Sequence, residues 1–184
     1  EGECAEDLGQ AAEALGQSES DIQSSLLAEP LKLYMYGFSP GLAYFGGLDS
    51  RLTIPRRATP RPPMRAGSLM IAGGLACLAP VSMPTGWYVV GQTPITLFSP
   101  NRVPMVPFAV GDELQFYSVS VEEFIELARD GEESGGLAGV KKVVLEADLR
   151  TFLEKTYPDV PATAINEAIA GFTQHEGMDL DHRN

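Results

Sequence analysis

A charge-free run from Ala66 to Asn101 constrains the fold of this chain more than any other feature of its sequence. Gly and Pro interrupt the run repeatedly, and the apolar segments between them have the length of strands. A segment without charge has little to present to water, and Gly and Pro disfavour helices, so the run predicts a buried β framework. Five arginines precede it within residues 51–65, with no acid among them. We interpret this arginine-rich edge as the functional surface.

Short β segments separated by turns dominate the middle of the chain. Turn signals such as Pro40-Gly41 and Gly73-Gly74 punctuate it, and residues 50–65 hold the arginines together with several prolines. Proline is rare in inner strands, so residues 50–65 are predicted to form a long ordered loop. Many short strands without intervening helices favour a barrel or a sandwich. The predicted strands are Leu31–Phe38, Ser68–Ala72, Trp87–Val90, Ile95–Phe98 and Glu113–Val119.

Helical patterns flank this β region on both sides. Residues 4–28 predict two short helices, with Gly16 ending the first and Ser18 with Asp21 capping the second. A further helix is predicted to begin at Ser120, followed by a flexible break at 130–139 and two more helices near 149–157 and 165–172. We therefore predict three parts: a helical lead-in at 1–30, a β domain at 31–130, and a linker with a helical tail at 131–184.

Charge is distributed unevenly along the sequence. The net charge is −12, yet residues 31–120 carry seven bases and only three acids. Overall acidity argues against nucleic acid as the main partner, whereas the positive middle could attract a small carboxylate or phosphate. No apolar stretch is long enough to span a membrane, so no membrane association is expected. The two cysteines lie far apart and predict neither a disulfide nor a metal site, and a cytoplasmic location is expected.

Three arginines, Arg56, Arg57 and Arg61, are the strongest candidates for ligand contact. A guanidinium group binds a carboxylate or phosphate through two parallel hydrogen bonds, which fixes the orientation of the ligand. The alternative is that these side chains pair with the acidic helices or a partner protein, or are only solvated.

Aromatic residues and glycines complete the candidate site. Tyr36, Phe38, Tyr44 and Phe45 are candidates for a pocket wall, although aromatics at this spacing are more often core residues, and Trp87 is more typical of a packing anchor. Backbone amides near Gly73 and Gly74 could polarise a ligand carbonyl. Both histidines lie in the polar C-terminal segment, so a Ser-His-Asp site is not expected and the catalytic residues stay unassigned. No phosphate loop, zinc spacing or dinucleotide motif is present.

The central segment resembles the allophanate hydrolase subunit 1 family. The resemblance rests on GFSPGLAYFGGLDSRLTIPRRATPRPPMRAGSLMIAGG, PTGWYVVGQTP and LFSP, in this order. The family includes the B subunit of 5-oxoprolinase, KipI-type histidine-kinase inhibitors and part of the carboxyltransferase region of urea carboxylase. The resemblance implies a cyclophilin-like β-barrel with flanking helices. The α+β lobe that precedes this region in the family is not among the 184 residues.

The resemblance also implies a function that is shared between chains. It implies a subunit 2-type partner and a composite site for a small amide, lactam or carboxylate such as urea or 5-oxoproline. ATP would be used by the complex and bound by other chains, so no cofactor is assigned to this one. Two alternatives stay open: a regulatory module of the histidine-kinase-inhibitor type and, ranked last, a prolyl isomerase.

Four positions depart from the family pattern in a way that bears on the ligand. Leu75, Ala76 and Ala79 stand where the family usually has polar side chains, and Gln92 stands where it usually has arginine. Loss of hydrogen-bonding groups from a pocket changes the ligand that it accepts. These departures therefore imply an intact glycine and proline scaffold whose ligand is either changed or lost.

Overall fold

The computed structural model describes residues 4–133 and residue 163. The elements described below belong to one compact unit, Glu1–Val140, and a second unit comprises Lys141–Asn184. The elements are α1 (Leu8–Leu15), α2 (Glu19–Ala28), β1 (Leu31–Tyr36), β2 (Ala43–Gly46), a 3-10 turn (Ser50–Leu52), β3 (Arg61–Met64), β4 (Ser68–Ala72), β5 (Leu75–Leu78), β6 (Met83–Thr85), β7 (Tyr88–Gln92), β8 (Glu113–Leu114) and α3 (Val121–Glu133). No helix among these residues could span a membrane.

Two antiparallel sheets organise the described part of the chain. The larger sheet has six strands in the order β7-β4-β5-β2-β1-β8, and the smaller one pairs β3 with β6. Every strand pairing in both sheets is antiparallel. The prediction of a mainly β fold with N-terminal helices is confirmed.

Apolar clusters cover both faces of the larger sheet, which explains its uncharged sequence. Side chains of one strand alternate between the two faces: Ile71 of β4 belongs to one cluster with residues of α1 and α2, whereas Met70 belongs to the other with Trp87. We call these the helix-side cluster and the cleft-side cluster. All five residues of β4 are buried, as expected for a central strand without charge.

Local capping signals in the N-terminal helices are confirmed. Gly16 ends α1 in the left-handed conformation, with φ of 63°. Ser18 Oγ accepts a hydrogen bond from the Asp21 N–H at 3.1 Å, and the Ser18 N–H donates to Asp21 Oδ2 at 3.2 Å. These reciprocal bonds satisfy amides that the first turn of α2 leaves unpaired.

Several strand predictions were wrong. Residues 95–98 form no strand: the Thr96 carbonyl accepts a hydrogen bond from Arg102, and Leu97 is buried beside the turn at Gly41. The last predicted strand is reduced to Glu113–Leu114. The sequence patterns also failed to indicate β2, β3, β5 and β6.

Strand β3 lies within residues 50–65, the segment that was predicted to be a loop. Only its ends pair with β6, through Arg61 with Thr85 and Met64 with Met83, and the register is irregular between them. Pro62 and Pro63 occupy that irregular part and are exposed. Proline has no N–H to donate to a neighbouring strand. It is tolerated here because each strand of a two-stranded sheet is an edge strand.

Helix α3 begins as the sequence indicates, since Ser120 Oγ accepts a hydrogen bond from the Glu123 N–H at 3.1 Å. It continues to Glu133, three residues beyond the start of the predicted break. The remainder of that break and the two predicted C-terminal helices lie outside the described residues, apart from Thr163, which is helical. The three-part domain division stays a prediction.

Candidate functional site

Two adjoining cavities lie on the cleft-side face of the larger sheet. The larger has a volume of about 490 Å³, and its wall includes Tyr34, Met35 and Gly73. The smaller has a volume of about 150 Å³, and its wall includes Phe38 and Met83. Tyr44, Arg56 and Trp87 line both, so we treat the two cavities as one and call them the Arg56 cleft.

Strand alternation and one glycine place the aromatic walls of the cleft. Tyr44 lies between Ala43 and Phe45 of β2, which point into the helix-side cluster, so its ring emerges on the other face. It meets the Trp87 ring edge to face, with centroids 5.9 Å apart. The Tyr34 ring lies directly against Gly46, where any side-chain carbon would overlap it. Glycine at this position leaves room for the Tyr34 ring where it lies.

Arg56 supplies the positive charge of the cleft. Its guanidinium carbon lies 5.6 Å from the centroid of the Trp87 ring, within the range of a cation–π interaction. In the described part of the chain, no carboxylate forms an ion pair with Arg56. This guanidinium group therefore remains open to an anionic ligand.

Arg57 and Arg61 occupy a different position. Arg57 Nη1 lies 3.2 Å from Asp7 Oδ1, Arg61 Nη1 lies 3.0 Å from Asp7 Oδ2, and Arg61 Nη2 also pairs with Glu6. Burial disfavours the charged form of Arg61, but the carboxylates of Glu6 and Asp7 outweigh this effect and raise its pKa. Arg57 and Arg61 therefore pair with the acidic helical segment, which is the alternative to ligand contact that the sequence left open. Their contact with a substrate stays a prediction.

Other predicted site residues are divided between the two faces. Phe38 lines the smaller cavity, is 85% exposed and has a φ of 69°, which is rare for a residue other than glycine. Tyr36 packs against the helix-side cluster, and its hydroxyl donates to the Phe108 carbonyl at 2.9 Å. Phe45 is a core residue with no exposed surface.

The two glycines of the β4–β5 turn differ in their relation to the cleft. Gly73 lines the larger cavity, but its N–H donates to the Ile54 carbonyl at 2.7 Å. That amide is already satisfied and does not point to a ligand carbonyl. Gly74 is the second turn residue and faces Thr53.

Tyr34, Met35 and Trp87 are cleft residues that sequence reasoning missed or assigned to the core. Trp87 could have been found, since it is the only tryptophan of the chain and lies within the charge-free run directly after Pro84, Thr85 and Gly86. Tyr34 gave no such signal, because its place depends on Gly46 in the neighbouring strand.

Burial raises the pKa of Tyr44, so its phenol is neutral at physiological pH and can donate a hydrogen bond.

The four residues that depart from the family pattern differ in their burial and in their contact with the cleft. Leu75 lines the larger cavity and gives it an apolar wall. Ala76 and Ala79 are fully buried, and Gln92 Nε2 donates to the Ala66 carbonyl at 2.9 Å. Of these four positions, Leu75 is therefore the one through which the ligand preference would change directly.

Cys77 lines the smaller cavity but is a poor nucleophile. Its exposed fraction is 1%, and burial raises the pKa of its thiol to about 12. At pH 8 only about one molecule in ten thousand carries the reactive thiolate at this position. We expect a disulfide reagent to modify Cys4 in the native protein and to modify Cys77 only after unfolding.

This prediction is checked with a colorimetric thiol assay at pH 8. A Cys4→Ser variant should release no chromophore until guanidinium is added, and a Cys77→Ser variant should react at once. Rapid reaction of the native Cys4→Ser variant would contradict the assignment of Cys77 as an inert thiol.

No cluster of His, Cys, Asp and Glu among the described residues could hold a metal ion.

Comparison with protein families gives a match over more than half of the sequence. Residues 1–108 match the family model described as "Carboxyltransferase domain, subdomain C and D". The matched range contains the two helices of the lead-in, the larger sheet except β8, and all of the Arg56 cleft.

Two curated relatives both carry the name of the B subunit of 5-oxoprolinase. The protein from Bacillus subtilis is 39% identical over 92 residues, which is 50% of this chain and 38% of the relative. The protein from Haemophilus influenzae is 36% identical over 122 residues, which is 66% of this chain and 57% of the relative. The chain thus matches less than two thirds of the length of either relative.

Solved structures show the same fold. A conserved uncharacterized protein from Pyrococcus horikoshii superposes with a TM-score of 0.64 and 34% identity, covering 67% of this chain and 57% of the other. The urea carboxylase of Kluyveromyces lactis superposes with a TM-score of 0.57 at 22% identity, covering 67% of this chain and 12% of the enzyme. At that identity, the second likeness concerns the fold alone.

Proposed function

The chain belongs to the carboxyltransferase domain family, subdomains C and D, and from this premise we propose that it is one component of an ATP-dependent complex that processes a small amide or lactam. In this proposal the Arg56 cleft forms one half of the substrate site, and a subunit 2-type partner supplies the other half. The names of the curated relatives make 5-oxoproline the first candidate substrate.

The observation that carries the proposal is the chemistry of Arg56 in its cleft. A cation without an ion-pair partner among the described residues lies over an aromatic ring, at the junction of two cavities. Such a guanidinium group can bind a carboxylate through two parallel hydrogen bonds. The apolar surface on which a small ring would lie is provided by Tyr44, Trp87 and Leu75. Ligand sites are commonly lined by such aromatic and apolar side chains.

The remaining chemistry is assigned to other chains. Among the residues that the structure describes, the lining of the two cavities includes no histidine and no carboxylate that could act as a general base. In the proposal, the partner therefore provides the proton acceptor, and ATP is bound outside this chain. The acidic composition of the chain, with a net charge of −12, disfavours nucleic acid as a partner.

We expect Arg56→Gln to weaken the binding of 5-oxoproline about 10- to 100-fold. The substitution removes a charged hydrogen-bond donor, and hydrogen bonds to charged groups contribute about 1.5–3 kcal/mol. Trp87 is the only tryptophan in the chain and lies against Arg56, so its fluorescence reports binding directly. The titration is carried out with the chain alone and with a co-purified subunit 2-type partner.

The matched control is Arg51→Gln, which removes the same charge elsewhere. Arg51 pairs with Asp49 at 2.6 Å on the surface, and it does not line either cavity. Its replacement should leave the affinity within about twofold, because exposed ion pairs contribute little. Equal affinities of the Arg56→Gln variant and the unmodified chain would refute the proposed site.

A regulatory role remains as a second candidate because the rim of the cleft is apolar. Phe38, Tyr34 and Met35 are exposed by 85%, 54% and 52%, respectively. Exposed aromatic and methionine side chains are typical of surfaces that bind proteins. Stable binding to a histidine kinase, with no ATP-dependent turnover in the presence of a subunit 2-type partner, would favour this second candidate.

A further inference from the structure

Asp7 occupies the N-cap position of α1, but its carboxylate does not cap that helix. The side chain turns instead towards β7, where Oδ2 accepts a hydrogen bond from the Val89 N–H at 2.9 Å. The Asp7 N–H donates to the Val89 carbonyl, also at 2.9 Å. Asp7 is 4% exposed, so the lead-in segment places a buried negative charge at the edge of the larger sheet.

This buried carboxylate holds Arg57. Arg57 Nη1 lies 3.2 Å from Asp7 Oδ1, and the guanidinium carbon lies 5.1 Å from the centroid of the Tyr88 ring. Arg57 Nε and Nη1 are buried and have no hydrogen-bond acceptor among the described residues. The charge of Asp7 is therefore the main attraction that keeps the Arg57 side chain in its place.

Arg57 in turn fixes the backbone that carries Arg56. The Arg57 N–H donates to the Gly86 carbonyl at 2.8 Å, directly before Trp87. Two consecutive arginines thus lie over two consecutive aromatic rings, Arg56 over Trp87 and Arg57 over Tyr88. The rings belong to opposite faces, since Trp87 is part of the cleft-side cluster and Tyr88 packs against the helix-side cluster.

We propose that Asp7 is a positioning residue, which holds Arg57 on the helix side and thereby keeps Arg56 over Trp87 in the cleft. Release of the Arg57 side chain would leave the backbone bond to Gly86 in place but remove the anchor on the helix side, so Arg56 would lose its defined position over Trp87. The functional meaning of this arrangement rests on the proposed function, because Arg56 is the group offered to an anionic ligand. The arrangement itself is tested without any substrate.

The test measures the quenching of Trp87 by iodide and by caesium from its fluorescence lifetime, which resolves the small quenching constants expected of a side chain that is 8% exposed. A guanidinium group beside the ring attracts iodide and repels caesium, so the ratio of the two quenching constants reports the presence of Arg56 over Trp87. We expect Arg56→Gln to lower this ratio at least about twofold, even with screening by the quencher salt. Asp7→Asn, in which Arg56 is still present, should lower it to a similar value.

Glu6→Gln is the matched control, since it makes the same change in net charge beside Asp7 but, among the described residues, removes a contact of Arg61 and none of Arg57. It should retain the ratio of the unmodified chain. If Asp7→Asn does not fold, Arg57→Gln decides, because Asp7 keeps its contact with Arg61 in that variant. A folded Asp7→Asn or Arg57→Gln variant with an unchanged ratio would overturn the proposal.

Failure of the proposed function would look different. In that case the unmodified chain would not respond to 5-oxoproline with or without a partner, whereas the quenching ratios would still follow the order expected here. A purely structural role of Asp7 would reduce the stability of the Asp7→Asn variant and leave the ratio of its folded state unchanged.

Discussion

Replacing Asp7 by alanine is expected to lower the free energy of unfolding by about 3–5 kcal/mol, which is the usual cost of removing one member of a buried ion pair. The carboxylate contacts Arg57 and Arg61, whose side chains are only 20% and 11% exposed. It also accepts the hydrogen bond from Val89. Its removal leaves two guanidinium groups in a poorly solvated position, and α1 loses an attachment to β7.

Urea denaturation followed by circular dichroism measures this effect. Glu6→Ala is the matched control, because Glu6 is more exposed than Asp7 and, within the described part of the chain, forms an ion pair with Arg61 alone. We expect the control to lose about 1 kcal/mol or less. The importance of Asp7 would be disproved if the two variants had the same midpoint.

Replacing Gly41 by alanine is expected to destabilise the protein by about 2–5 kcal/mol, from two costs that add. Gly41 has a φ of 80°, a conformation that costs other residues about 1–2 kcal/mol. A Cβ atom at this position would also lie 2.6 Å from Phe98 Cβ and 2.8 Å from the Leu97 carbonyl oxygen. Overpacking of this kind costs about 1–3 kcal/mol, and here it involves backbone that cannot rotate away.

Gly16→Ala separates these two costs. Gly16 has a φ of 63°, but no atom lies within 4 Å of the Cβ that alanine would add. This variant should therefore lose only about 1–2 kcal/mol, the cost of the backbone conformation alone. Thermal and urea unfolding of both variants give the comparison, and equal losses would show that the contact with residues 97 and 98 is unimportant.

Features set by neighbouring residues could be predicted from the sequence. Gly16 and the pair of Ser18 with Asp21 end and begin helices through bonds within a few residues, and the structure has both. Strand β4 was predicted with its observed bounds, because Ser68–Ala72 contains no charged residue. The structure buries all five of these residues. The turn at Gly41 is another local feature, since only glycine adopts its backbone conformation at little cost.

Features that depend on a distant partner could not be predicted in this way. Strand β3 contains two prolines and exists because β6 pairs with its two ends. The segment 95–98 has the composition of a strand, but in the folded chain it lies beside the Gly41 turn and joins no ladder. β-Propensity depends on how well a side chain packs against the neighbouring strand. The position of that neighbour cannot be predicted from the local sequence.

The candidate site shows the same division. The sequence by itself determined that three guanidinium groups, those of Arg56, Arg57 and Arg61, lie within six residues beside an uncharged β framework. Only the tertiary structure decided that Arg56 faces the cleft while the other two face α1. The physical reason is that their surroundings come from far along the chain: Asp7 is 54 residues from Arg61, and the register of β7 sets which aromatic ring each arginine meets.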